Sequence, residues 1–365
     1  MIFFLITLPG PFADWCSVLL AKLAEAAGGG VVARAWPTTA GLTAYAPAGS
    51  LGTTLDQLGQ VLVESDAEHV VFAARQPDAG LLRALQAPEA RFLVAIDDPT
   101  HAVAAIIAET GENPKRAVRA IANSCALFTQ FAQLPGAMLL QARGAAEPAQ
   151  VRQTIDAIVA HLGIHLTAAA RTAVAQSPEL REAAPRTPVE APLLAPGIAK
   201  MMIGALGGYG GLFQGGRLSD IVWTRDLFLM VGDRSLTEPV ELTGGSRILV
   251  FGPYIHLIPG SWRAKVVLGF SDEAAGSVFI VDTYADERQL AAVSMQPAVG
   301  GLHTAELSFS VPRFTSMGIE LRVHVTNDQT KGHMAFGQVT LTPLSLHYDG
   351  AEVPRGEDFR TALEM

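Results

Sequence analysis

ITLPGPFADWC, residues 6–16, carries an apolar run into a turn of one glycine and two prolines and then into an amphipathic segment. Strand, turn and helix in that order are the layout of a phosphate loop. Yet the turn holds no Lys, Arg, Ser or Thr that could grip a phosphate. Upstream, MIFFLITLPG lacks a basic leader and runs straight into the turn, so it reads as a buried strand rather than a signal peptide. Downstream, Trp15, Val18, Leu19 and Leu23 recur at helical spacing until Gly28–Gly30 end the helix.

Outward from this loop, residues 2–165 alternate strand-like and helix-like segments, the pattern of a parallel sheet with helices on its faces. A helix is expected around Leu55, Leu58 and Val61. HVVFAA, RFLVAI and AMLLQA are short continuous apolar runs, as expected of strands covered on both faces. PTHAVAAIIAE, RAVRAIANSCALFTQFAQL and VRQTIDAIVAHLGI read as the helices between and after them.

Residues 176–196 carry five prolines among mixed charges and read as an exposed, semi-extended connector. GIAKMMIGALGGYGGLFQGG, 197–216, has eight glycines among apolar residues: too flexible for a good helix, too apolar for a solvated linker. It suits a packed hinge, or a surface that meets a partner, a second copy or a membrane interface. From about 220 to 345 the period switches to two. HTAELSFSVP sets Leu307, Phe309 and Val311 on one side, and GIELRVHVTN sets Ile319, Leu321, Val323 and Val325 against Glu320, Arg322 and His324. With turns at intervals of about 8–12 residues, this is an antiparallel sandwich or jelly roll. The fold class is therefore an α/β parallel-sheet domain at 1–175 plus an all-β sandwich at 217–346. Residues 176–216 form the connector and 347–365 an acidic tail.

Three stretches of the first domain carry a family resemblance: LPGPFADW at 8–15, AARQP at 73–77 and IDDPTHAVAA at 96–105. With the closing AMLLQARGAAEPAQVRQTIDAIVAHLGI, this domain resembles the sulfotransferase fold over residues 2–165. The family's first loop runs approximately Pro-Arg-Ser-Gly-Thr-Thr-Trp and wraps a 5′-phosphosulfate at a helix N-terminus. Here Pro9, Gly10, Pro11, Phe12, Ala13, Asp14 and Trp15 stand in those places. Pro11 removes an N–H donor, Phe12 replaces the permissive glycine, and Asp14 adds negative charge where the ligand is negative. Like charges at 4 Å repel by about 4 kcal/mol at the effective dielectric of a protein surface. A helix terminus returns only about 0.3–2 kcal/mol.

The family's Lys-Thr-His-x-Pro, which supplies catalytic acid and base, corresponds to Ala73, Ala74, Arg75, Gln76 and Pro77, so both groups are lost. Its Arg-Asp-Pro-Arg-Asp-x-x-x-Ser, which grips a 3′-phosphate, corresponds to Asp97, Asp98, Pro99, Thr100, His101 and, at the last place, Ala105. The resemblance thus implies a scaffold without donor binding, without cofactor and without catalytic residues. Alternative roles exist for each group: Asp14 as a cap or dipole partner of the helix, Asp98-Pro99-Thr100 as a turn into a helix, and Arg75 as a partner of Asp97. His101, His161 and His165 lack a third ligand at metal spacing, so no metal site is expected.

In the second domain, RILVFGPYIHLIPGSWRAKVVLGF is similar to accessory β-sandwich domains beside bacterial polysaccharide-locus glycosyltransferases and methyltransferases, which are reminiscent of carbohydrate-binding modules. Sugar recognition needs an aromatic face and a few planar polar groups. Tyr254, His256, Trp262, Arg263, Asp282, Tyr284 and Arg288 are the candidate glycan-binding residues. Against this, Trp262 could plug the end of the sandwich, Tyr254 could lie in its core, and Asp282 and Arg288 could pair across a hairpin. Asp272-Glu273 and Asp286-Glu287 fall in turns and do not make a glycosidase dyad.

The 26 Lys and Arg against 35 Asp and Glu leave a net charge of -9 with no basic run, which excludes non-specific nucleic-acid binding. Cys16 and Cys125 suggest no disulfide framework, and a reducing cytoplasmic compartment fits. No transmembrane span is expected. The charged share, 17%, is low for a freely soluble surface and leaves room for a covering partner. These features point to a non-catalytic binding or assembly component of bacterial surface-polysaccharide production, with a glycan or polysaccharide-synthesis proteins as partners and homo-oligomerisation through 197–216. An active sulfo- or glycosyltransferase with a non-standard donor site, and a self-assembling scaffold, are the alternatives.

Overall fold

The computed structural model describes residues 2–28, 30–35, 67–75, 77, 79–142, 148–184, 195–213, 216–232, 234–312, 318–327, 331–348 and 351–353. The chain divides into two compact units: Met1–Glu112 with Leu127–Leu193, and Asn113–Ala126 with Leu194–Glu364. The helix expected around Leu55–Val61 lies outside the described residues.

The first unit is α/β. Its strands are β1 (Ile2–Thr7), β2 (Gly30–Ala35), β3 (Ala67–Ala74), β4 (Phe92–Ile96) and β5 (Ala137–Gln141), and they form one sheet in the order β2-β3-β1-β4-β5. All four pairings are parallel, with Leu5 opposite Ala73 on one side and Leu93 on the other. The helices are α1 (Pro11–Ala26), α2 (Ala79–Ala84), α3 (Pro99–Thr110), α4 (Pro114–Phe131, whose first part belongs to the second unit), α5 (Pro148–Leu162), α6 (Ala168–Ala175) and α7 (Pro178–Glu182). Alternate strand residues Phe3, Leu5, Val71, Leu93 and Leu140 share one cluster with Trp15, Leu19 and Leu23 of α1, Ile155 and Ile158 of α5, Val174 and Leu180. Ile6, Phe72 and Val94, of the opposite parity, are buried too, which is why these strands read as unbroken apolar runs. His161 of α5 ties the sheet's edge together, its Nε2 lying 3.3 Å from the Phe92 carbonyl and 3.1 Å from that of Gly136.

Part of the expected connector is structured. Ser177 caps α7 by accepting from the Leu180 N–H at 3.2 Å, Pro178 fits the first helical turn, and Leu180 joins the core of the first unit.

The second unit opens with α8 (Pro196–Phe213), which corrects the reading of 197–216 as too glycine-rich to be helical. Glycine is there for packing, since a Cβ on Gly204 would stand 2.6 Å from the Val222 carbonyl oxygen and one on Gly208 would stand 2.8 Å from that of Ser219. Removing two side chains four residues apart lets the helix lie directly on a strand. Met201, Met202, Ala205, Leu206, Tyr209, Leu212 and Phe213 are all buried, leaving Ile203 as the helix's large exposed apolar residue.

The strands that follow are β6 (Ile221–Thr224), β7 (Leu229–Met230), β8 (Arg234–Ser235), β9 (Val240–Glu241), β10 (Arg247–Ile255), β11 (Gly260–Phe270), β12 (Phe279–Ala285), β13 (Arg288–Met295), β14 (Gly301–Val311), β15 (Ile319–Val325), β16 (His333–Tyr348) and β17 (Ala351–Val353). One sheet runs β13-β12-β15-β10-β7-β8 and the other β14-β11-β16-β17, with β6 and β9 also on β16. Inward residues of the two sheets meet at Phe270 and Phe279, whose rings are 4.4 Å apart. None of the described helices is long and apolar enough to cross a membrane.

Candidate functional site

Period two decides which side chains of the β13-β12-β15-β10 sheet leave the core. On β12, Phe279, Val281, Thr283 and Ala285 are buried on the inner face, and on β15 Ile319, Leu321, Val323 and Val325 do the same. The outer face is set by register: Ile280 opposite His324, Asp282 opposite Arg322, Tyr284 opposite Glu320. On the other side of β15, Phe251 faces Arg322 and Pro253 faces Glu320.

These cross-strand neighbours build one polar cluster. Arg322 donates from Nε to Asp282 Oδ1 at 3.0 Å and from Nη2 to Oδ2 at 3.2 Å, a bidentate pair. His324 Nε2 approaches Asp282 Oδ2 to 3.1 Å, and Gln289 Nε2 donates to the same oxygen at 3.3 Å. Burial by itself would raise the Asp282 carboxyl. His324 and Arg322 outweigh that and hold it below the usual carboxylate range. The Arg322 guanidinium also stacks on Tyr284, its carbon 3.5 Å from the ring centroid. One row further, the Tyr254 hydroxyl donates to Glu320 Oε1 at 2.8 Å.

Where β10, β12 and β15 end together, these groups border a recess of about 220 Å³ lined by Tyr254, Tyr284, Ala285, Asp286, Glu287, Gly318, Glu320 and Arg322. The backbone there is unusual. Among the described residues, those other than glycine with positive φ are Tyr254 (60°), Asp286 (49°) and Glu287 (64°), and all three line the recess. Asp286 and Glu287 are the central pair of the two-residue β12–β13 hairpin, a tight turn that calls for positive φ at both, whereas Tyr254 holds such a conformation inside a strand at a cost of order 1–3 kcal/mol. Gly318 is required by contact: a Cβ there would lie 2.4 Å from the Tyr254 carbonyl carbon and oxygen.

Of the residues picked from the sequence, the structure brings Tyr254 and Tyr284 to the recess and sets Asp282 beneath it as the anchor of Arg322. The others stand elsewhere. Trp262 is fully buried on β11, its Nε1 donating to the Ile258 carbonyl at 2.9 Å, so no sugar can reach its ring. Arg263, its neighbour on β11, is exposed on the other sheet. His256 is held by Asn123, whose Oδ1 lies 2.9 Å from its backbone N and 2.8 Å from Nδ1. Arg288 is exposed at the start of β13, and Asp282 pairs with Arg322 and His324 rather than with it. Glu320, Arg322 and the Asp286-Glu287 turn are members that the choice of residues from sequence left out.

In the first unit, the loops after β1 and β4 flank the topological switch point, where open α/β sheets place ligands. Gly10 starts α1 at φ 144° with no side-chain cap, and Asp97 Oδ2 stands 4.0 Å from where its Cβ would be. Phe12 and Ala13 are buried, and Phe12 stacks on Trp15 at 5.8 Å, so the position of a permissive loop glycine is filled by core. Asp14 meets Arg75 in an ion pair, so Arg75 does not serve Asp97. Asp97 Oδ1 instead accepts from the Asp98 N–H at 2.7 Å and lies 3.6 Å from His101 Nδ1. That carboxylate raises the His101 pKa against the effect of burial. Asp98 caps α3, accepting from the Thr100 N–H at 2.8 Å, and Ala105 sits on that helix without a polar group to offer. Burial, helped by Asp97, pushes the Cys16 thiol well up, which makes it inert. Among the described residues no three His, Cys, Asp or Glu side chains are grouped to hold a metal.

No protein-family model and no curated protein matches the chain. Solved structures similar to it include a family 16 carbohydrate-binding module (14% identity over 29% of this chain and 77% of that one, TM-score 0.22). A second is TmCBM61 in complex with beta-1,4-galactotriose (14%, 36% and 94%, TM-score 0.22). A third is the insecticidal delta-endotoxin Cry8Ea1 from Bacillus thuringiensis (11%, 29% and 20%, TM-score 0.22), of which the chain spans a fifth. At these scores the likenesses carry no argument about fold or ligand.

Proposed function

We propose that the second unit binds a carbohydrate in the recess between Tyr254 and the Tyr284–Arg322 stack. The reading rests on one observation: two tyrosines, Glu320 and Arg322 line one small concavity at the end of the sheet. A pyranose offers an apolar face to an aromatic ring and hydroxyls to planar polar groups, and this lining supplies both. Arg322 arrives pre-oriented. Two of its donors are fixed on Asp282, so presenting its remaining N–H groups costs little further ordering.

The first unit is proposed to be a sulfotransferase-like scaffold that binds no phosphosulfate donor. Buried Phe12, the carboxylate of Asp97 and the capping role of Asp98 support this.

A glycan array probed with the whole chain tests the carbohydrate reading. Binding to at least one glycan is expected, reduced tenfold or more by Tyr254→Ala, whereas a dark array removes the proposal. Calorimetry with adenosine 3′,5′-bisphosphate is expected to give no heat. Micromolar binding would restore a donor site in the first unit.

A further inference from the structure

Building on the carbohydrate reading, we infer that the recess takes a single, non-acidic sugar unit rather than a stretch of polysaccharide chain. Its position argues for one unit. Among the described residues, the lining comes from the shared end of β10, β12 and β15 and from the Asp286-Glu287 turn, not from β13, β7 or β8 of the same sheet. Size agrees: about 220 Å³ falls below the roughly 300–1,000 Å³ of clefts that engulf drug-sized ligands, and suits one ring.

Charge sets the second half of the inference. Arg322, the one cation among the described lining residues, already faces the Asp282 carboxylate with two of its nitrogens. Glu320, Glu287 and Asp286 are the other charged lining groups, and all are acidic. A uronate or sulfated sugar would add an anion to this set. Even at the dielectric of water, one like-charge contact at 4 Å weakens binding about fivefold.

The test is calorimetry on the full chain with three sets of probes. These are the methyl glycosides of glucose, galactose, mannose and N-acetylglucosamine, the uronates glucuronate and galacturonate, and the corresponding β-1,4-linked trimers. The expected result is a methyl glycoside that binds, a trimer less than fivefold tighter, and a uronate at least fivefold weaker than its neutral counterpart. A trimer fivefold or more tighter, or a uronate within fivefold of its counterpart, overturns the inference and leaves the carbohydrate reading standing. If no probe binds, the carbohydrate reading itself falls and takes this one with it. Glu287→Gln, an exposed change that preserves shape, is expected to narrow the neutral-to-uronate ratio by at least twofold in low salt, and an unchanged ratio refutes the electrostatic argument.

Discussion

Replacing Asp282 with Asn removes one charge from the outer sheet face while keeping the side chain's shape. The Asp282 side chain is 5% exposed and that of Arg322 17%, so the guanidinium is left partly desolvated with no counter-charge, and the new amide nitrogen points donors at donors. Breaking a buried ion pair on one side costs about 3–5 kcal/mol. Residual solvent access and the Tyr284 stack place this case near the lower end, about 3 kcal/mol. For a folding unit of roughly 150–250 residues each kcal/mol moves the melting temperature by about 2–4 °C. A drop of about 6–12 °C near neutral pH is therefore expected by calorimetry. The pH dependence adds a sign. The carboxyl is held below its unfolded value of about 3.9, so its stabilisation is complete above that value and lost as pH falls through the lower folded one. The gap between wild type and Asp282→Asn should be present at neutral pH and close below about pH 4. A variant melting within 1 °C of wild type at neutral pH would refute the claim that this pair organises the site.

Two further outcomes test the packing and the first unit. Gly204→Ala and Gly207→Ala both raise helix propensity by up to about 1 kcal/mol, but only the first forces a Cβ onto the Val222 carbonyl, so urea midpoints should fall for Gly204→Ala and rise for Gly207→Ala. His101 is raised by Asp97, so its stabilisation is full below its unfolded pKa of about 6.5 and lost as pH rises through the higher folded value. The urea midpoint of wild type should exceed that of His101→Ala more at pH 6 than at pH 9, and a constant difference would contradict the pairing.

Much of the architecture was legible because the hydrophobic pattern matches its cause. The continuous runs of β1, β3 and β4 are buried on both faces, and the alternation of β14 and β15 separates core from solvent. The edge strand β2, at Gly30–Ala35, was missed, since six residues between a glycine run and Trp36-Pro37 give little periodicity to read. Helix α8 was misread because propensity scores a glycine by its freedom, whereas Gly204 and Gly208 are selected by the backbone they touch.

At the candidate site, parity already set Glu320, Arg322 and His324 on the polar side of their strand. Their link to Asp282, forty residues away in the case of Arg322, depends on the β12–β15 register, which no local pattern encodes. Trp262 shows the reverse: an aromatic after a Pro-Gly turn looks available for a sugar until strand parity turns it inward.

The division of the chain has a practical corollary. The β-rich unit includes Asn113–Ala126, a piece translated long before its strands and separated from them by the remainder of the first unit. A truncated gene starting at residue 194 would omit Asn123, which fixes His256, and Arg119, which donates to the Leu227 carbonyl at 3.0 Å. Excision at one point therefore yields an incomplete β-rich half, whereas a permuted chain that fuses residues 113–126 ahead of 194 would retain both tethers.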